Sequence, residues 1–173
     1  MSTIAEVDGM PADRAASLFE SCCGSGEWVR RMLARRPFGS AEALLAAADE
    51  VWWSLAPADW LEAFAHHPRI GERQAAAAQS ATARGWSADE QRGAAAAGDD
   101  VKAALAAGNR EYERRFGHIY LVCATGKSAP ELLALLRQRL TNAPDAELRV
   151  ASGEQAKITR LRLRKLLDSP EAT

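Results

Sequence analysis

Along most of the chain, apolar residues recur every three or four positions, and prolines and glycines cut that pattern into segments. Recurrence at i, i+3, i+4 and i+7 is the mark of a helix with one buried face. Pro11 suits a first helical turn, and a helix can run from it to Cys23, where Gly24 stops it. Further helices are expected from Gly26 to Arg35, from Ser40 to Leu55 and from Pro57 to the residue before Pro68. A fifth is expected over Glu72 to Ala83. Ser87-Ala88-Asp89-Glu90 has the capping-box spacing, so a helix is expected to start there, bend over Gly93 to Gly98 and continue to Phe116. Ser128-Ala129-Pro130-Glu131 has the same spacing and opens a helix to Leu140. Pro144 opens the last one, to about Asp168. Ile119 to Cys123 is a lone apolar run with no partner strand, and is expected to be extended or irregular.

This pattern predicts an all-α fold, a single-domain bundle of about eight helices. Composition agrees. The 173 residues include 37 alanines, while Val, Ile and Thr together number 16. Alanine and straight-chain residues lose little entropy in a helix, so a β-sandwich or barrel is excluded. The length suits one domain, with no linker dividing residues 1–173.

Charge narrows the function classes. Twenty-two basic residues face 23 acidic ones, for a net charge of −1, so no bulk electrostatic grip on nucleic acid is expected. No run of 18 apolar residues could span a membrane. The N-terminal residues lack the basic and apolar regions of a secretory signal. Three cysteines, two of them adjacent, make no disulfide framework. The simplest reading is a cytoplasmic protein with free thiols and no membrane partner. Zinc, P-loop, dinucleotide and nucleophile-elbow patterns are absent, which points to no metal and no cofactor.

Candidate chemistry lies where polar residues fall on apolar faces. Trp60, Phe64 and His67 share one helix face, while His66 is turned about 100° away. At a helix C-terminus the dipole favours a protonated imidazole and burial opposes it, and that balance suits a general acid or base. The alternative is a core histidine satisfied by one backbone carbonyl. Arg162 stands between Ile158 and Leu166 on one stripe of the last helix. It either reaches an anionic group or packs its stem with its head solvated. Arg149 to Lys165 holds six basic residues and one acid. That segment could be a solvated face, a nucleic-acid patch or the wall of an anion site. Ser87 and Glu90 at a helix start would suit an anion, with Glu90 as simple reciprocal cap the plainer alternative.

The blocks Cys22-Cys23-Gly24-Ser25, Trp28-Val29 and Arg36-Pro37-Phe38 resemble the N-terminal part of the OHCU (2-oxo-4-hydroxy-4-carboxy-5-ureidoimidazoline) decarboxylases. His67-Pro68-Arg69-Ile70-Gly71 resembles that family's HPRIG motif. Trp86-Ser87 with Glu90-Gln91, then Asn109, Tyr112-Glu113, Arg115-Phe116-Gly117, Arg139-Leu140, Asn142, Glu147-Leu148 and Leu161-Arg162-Leu163 follow in the family's order. The similarity covers about residues 10–168. Tyr120 departs from it, standing where phenylalanine is expected and bringing a hydroxyl that needs a partner if buried. The Gly126-Lys127-Ser128 loop is expected to vary and to stay clear of the chemistry.

The resemblance implies an all-helical, cofactor-independent homodimer that converts OHCU to (S)-allantoin in urate breakdown. It implies His67 as acid/base, Glu90 bonded to substrate beside it and Arg162 on an anionic or carbonyl group. Pro68, Ser87 and Gln91 would line a site for a small anionic substrate. Ile119, Tyr120, Leu121, Val122 and Cys123 would offer it backbone hydrogen bonds. Two other readings remain: a same-fold decarboxylase of a related ureido or imidazoline acid, and a non-catalytic helical module binding a partner through Arg149 to Lys165.

Overall fold

The computed structural model describes residues 3–71, 81–95 and 97–168. Among them are ten helices and no strand: α1 (Ile4–Gly9), α2 (Ala12–Cys22), α3 (Gly26–Ala34), α4 (Ala41–Trp53), α5 (Pro57–Ala65), α6 (Ala81–Glu90), α7 (Arg92–Ala95), α8 (Asp99–Phe116), α9 (Ala129–Arg139) and α10 (Pro144–Asp168). The all-α expectation holds, with two short helices, α1 and α7, beyond those expected. Of the helix expected over Glu72 to Ala83, residues 72–80 lie outside the described residues, and its end opens α6. The chain groups into two compact units, Met1–Ala63 with Ala156–Thr173, and Phe64–Gln155.

Local chemistry sets the helix starts. The Ser25 and Ser40 hydroxyls accept from the backbone N–H of Trp28 and Ala43, at 3.3 and 3.1 Å. Such bonds satisfy donors that a first turn leaves without intrahelical partners. Thr3 with Glu6, and Ser128 with Glu131, form reciprocal capping boxes. Gly117 ends α8 at φ 76°, a left-handed conformation natural to glycine.

The first unit is built on Phe19, Trp28, Met32, Leu44 and Leu163, all at 0% exposure. Phe19 and Trp28 meet edge to face at 6.0 Å, and the Trp28 indole N–H donates to the Ala48 carbonyl at 3.2 Å. The core of the second unit gathers Leu105, Tyr112, Tyr120, Val122, Leu132 and Leu136, and in it α8 packs along α9. Residues 119–124 run through it as neither helix nor strand, in keeping with the extended or irregular course their lone apolar pattern predicts.

A buried polar network anchors that segment. Arg139 donates to the Leu121 carbonyl at 2.6 Å and to the Glu147 carboxylate at 2.7 Å. Tyr112 donates its hydroxyl to the same carboxylate, and Asn142 donates to its other oxygen at 2.7 Å. The Arg139 guanidinium lies over the Tyr120 ring, 4.9 Å from its centroid. The Tyr120 hydroxyl finds its partner in the Leu132 carbonyl, at 3.0 Å. Several residues that carry the family resemblance thus serve as scaffold.

Candidate active site

In the second unit the His67 loop follows α5 and is tied down residue by residue. His67 is 8% exposed, and its Nε2 stands 2.8 Å from Oε1 of the fully buried Gln155. Arg69 pairs with Glu113 through two bonds, one of 2.9 Å. The Ile70 carbonyl accepts from Asn109 at 2.9 Å. The Gly71 N–H donates to the Gln91 side chain at 3.1 Å. Pro68 is half-buried between these anchors. Trp60, Phe64 and His67 are all buried and His66 is partly exposed, as the sequence pattern predicts, but α5 ends at Ala65, two residues short of the expected end, so His67 lies just beyond the helix and not on its face. The core-histidine alternative had a backbone carbonyl as partner, and the side chain of Gln155 stands beside the ring.

Ser87 requires a correction. It was expected to open a helix, but it lies inside α6, and its carbonyl accepts from the Gln91 N–H at 3.1 Å. A serine three positions before a glutamate is also an ordinary pair on one turn of a continuing helix, and Ala81 to Trp86 are already helical. Ser87 therefore offers no free helix-start N–H groups, and Glu90 is no reciprocal cap. Ala83, Ser87 and Glu90 instead form the buried stripe of α6, at i, i+4 and i+7.

Around Cys123 several of the expected residues meet. Its N–H donates to the Glu154 carboxylate at 2.7 Å, and its carbonyl accepts from the Lys127 ammonium at 2.8 Å. Burial raises the Cys123 thiol pKa, the charges of Glu154 and Glu90 add to the rise, and Lys127 opposes it. Glu90, 8% exposed, also borders a cavity of about 660 Å³ with Asp89, Arg92, Lys127 and Ser128, beside Gly93 and Gly126. Lys127 thus overturns the expectation that its loop stays clear of the candidate chemistry. Consecutive residues of α10 serve the two halves of this site: Glu154 holds the Cys123 amide, and Gln155 meets His67. Ile119 is half-buried and its carbonyl accepts from His118 at 3.0 Å, while Tyr120, Leu121 and Val122 are buried.

Gln155, Glu154 and Lys127 were missed in the sequence. Gln155 had a signal, since it stands seven positions before Arg162 and so falls on the stripe that singles out that arginine. Lys127 and Glu154 had none, because their partner is a backbone group.

Arg162 belongs to the first unit. It is 3% exposed, with Ile158 and Leu166 also buried, and donates to the Ser21 carbonyl at 3.3 Å. Its head is therefore not solvated. Burial pushes the neighbouring Cys23 thiol up to about 12, with Thr159 and the Arg162 charge pulling the other way. Arg160 pairs with Asp49 at 2.7 Å, so the basic run of α10 is not one open cationic face. Among the described residues no three His, Cys, Asp or Glu side chains are grouped to hold a metal ion, and no helix is long and apolar enough to cross a membrane.

Residues 8–164 match the OHCU decarboxylase family. The chain belongs to that family. It is 38% identical over 146 residues to the uric acid degradation bifunctional protein TTL of Arabidopsis thaliana, covering 84% of this chain and 45% of that protein. Over 62 residues it is 37% identical to the 2-oxo-4-hydroxy-4-carboxy-5-ureidoimidazoline decarboxylase of Amia calva, covering 36% of this chain and 35% of that one. The chain thus matches less than half the length of either relative. Among solved structures it resembles an OHCU decarboxylase crystallised in the presence of (S)-allantoin, with TM-score 0.76 and 31% identity over 88% of this chain and 99% of that one. A crystal structure of (S)-allantoin synthase shares the fold, with TM-score 0.71 and 18% identity over 99% of this chain and 56% of that one.

Proposed function

We propose that this OHCU decarboxylase family member converts OHCU to (S)-allantoin and carbon dioxide. The observation that carries this reading is the likeness, over 88% of this chain and 99% of that one, to an OHCU decarboxylase crystallised in the presence of (S)-allantoin.

The substrate's carboxylate is attached to a ring carbon beside an imine-like bond. When the bond to the carboxylate breaks, its electron pair moves into the ring, and carbon dioxide leaves. The hydroxyl on that carbon then gives up its proton to become the ring carbonyl, and a proton is delivered to one face of the neighbouring carbon that bears the ureido group, giving one enantiomer. The ring is its own electron sink, so the protein's task is to align the breaking bond and stabilise developing charge. His67 handles the proton. Glu90 orients the hydroxyl or ureido group. The backbone of Ile119 to Cys123, fixed by Arg139, Glu154 and Lys127, binds the ring. Pro68, Ser87 and Gln91 line the site. Arg162 keeps its charge when buried and receives an anionic or carbonyl group. The working form is a cytoplasmic homodimer, and its mass in solution follows from sedimentation equilibrium.

Circular dichroism tests the activity. Urate is converted in situ by urate oxidase and hydroxyisourate hydrolase, and the protein is then added. Rapid growth of the (S)-allantoin signal, lost in His67→Ala with the helical spectrum intact, is expected. Decay to racemic allantoin at the same rate with and without protein would reject this substrate and turn the search to related ureido acids.

A further inference from the structure

We propose that Gln155 is a positioning residue for His67, fixing the neutral imidazole with its proton on Nε2 and its lone pair on Nδ1. The catalytic meaning of this rests on the acid/base role proposed for His67, but the tautomer does not. The contact is 2.8 Å between His67 Nε2 and Gln155 Oε1, with the two residues 8% and 0% exposed. An amide oxygen only accepts, so the imidazole nitrogen facing it must donate. In a neutral ring one nitrogen carries the proton, and the hydrogen bond made by one determines the state of the other.

The surroundings give this contact its grip. His67 is held from its own backbone by the N–H bond to the Phe64 carbonyl at 3.1 Å, and the following residues of its loop are tied to Glu113, Asn109 and Gln91. Gln155 sits within α10, next to Glu154, which is itself bonded to the Cys123 amide. Neither partner can drift without breaking other bonds. A glutamine here also differs in kind from a carboxylate. It orients the ring without adding a negative charge that would favour the imidazolium.

Long-range proton–nitrogen correlation spectra of the full chain, with labelled histidine, test this. The pH is set high enough for a neutral His67, and His67→Ala assigns its signals among the three histidines. The expected result is a single Nε2–H tautomer for His67 in the parent protein. Gln155→Glu retains an acceptor and should keep that tautomer. Gln155→Leu should give a mixture, with kcat at least tenfold lower and KM little changed. An Nδ1–H tautomer in the parent protein, or an unchanged His67 spectrum in a folded Gln155→Leu variant, would overturn the proposal. If the leucine variant does not fold, the parent spectrum and the glutamate variant still decide. A correct tautomer without OHCU turnover would sustain the positioning and refute the activity.

Discussion

Arg139 and Glu147 form a buried ion pair at 2.6 Å, with side chains 7% and 0% exposed. One charge serves two ends: the same guanidinium that meets Glu147 also holds the Leu121 carbonyl. Removing one partner of such a pair leaves an uncompensated buried charge, at a cost of about 3–5 kcal/mol. Glu147→Leu should therefore lower the free energy of unfolding by about that amount, read from urea titration. Arg139→Met with Glu147→Leu together should cost less than the sum of the single changes, because no stranded charge remains. Additive costs would show that the pair is not coupled.

A second prediction concerns two glycines with opposite surroundings. A Cβ on Gly93 would lie 2.1 Å from the Lys127 carbonyl oxygen, whereas one on Gly85 meets nothing within 4 Å. Gly93→Ala must push α7 away from backbone, and overpacking of that kind costs about 1–3 kcal/mol. Gly85→Ala, within α6, should stabilise the protein by about 0.5–1 kcal/mol, because alanine loses less chain entropy in a helix. Thermal unfolding compares the two. Equal effects would contradict the close approach at Gly93.

Much of this architecture was legible because helix starts are chemical events. Ser40, Ser128 and Pro144 each marked one. The same rule missed α1, although Thr3 and Glu6 have the spacing that Ser128 and Glu131 use. It failed at Ser87 because the spacing of a capping box equals the spacing of neighbours within a helix, and only the state of the preceding residues separates the two. His67 and Arg162 were legible as polar groups on apolar stripes. The grip of Glu154 and Lys127 on Cys123 was not, since pattern rules read side chains and both residues bind a backbone group.

That grip yields the third prediction. Lys127 donates to the Cys123 carbonyl, and a charge-assisted hydrogen bond contributes about 1.5–3 kcal/mol. Lys127→Met keeps the stem and removes the donor. If the segment binds substrate, kcat/KM for OHCU should fall roughly tenfold, about 1.4 kcal/mol, mostly through KM. Lys127→Arg should recover part of the loss. An unchanged KM in Lys127→Met would mean that the Cys123 backbone holds its place without the lysine.

His118 provides a pH handle on stability. Its ring lies 5.3 and 5.5 Å from the rings of Phe64 and Tyr112, and its Nδ1–H donates to the Ile119 carbonyl at 3.0 Å. Burial holds its pKa below the ordinary 6.5, and the Arg139 charge acts the same way, while the bond to Ile119 and the Glu147 charge oppose it. In the interval between the folded and unfolded values, the unfolded chain binds a proton that the native state refuses. The native state is then favoured fully above the unfolded value and loses that advantage as pH falls through the folded one. Unfolding free energy should therefore decline as pH drops from about 7.5 toward 5, on the acid side of an ordinary histidine. His118→Phe keeps a ring against Phe64 and Tyr112 and removes the titration. Its decline over the same interval should be shallower than that of the parent, whatever its stability at neutral pH. Parallel curves would show that His118 binds its proton equally in both states.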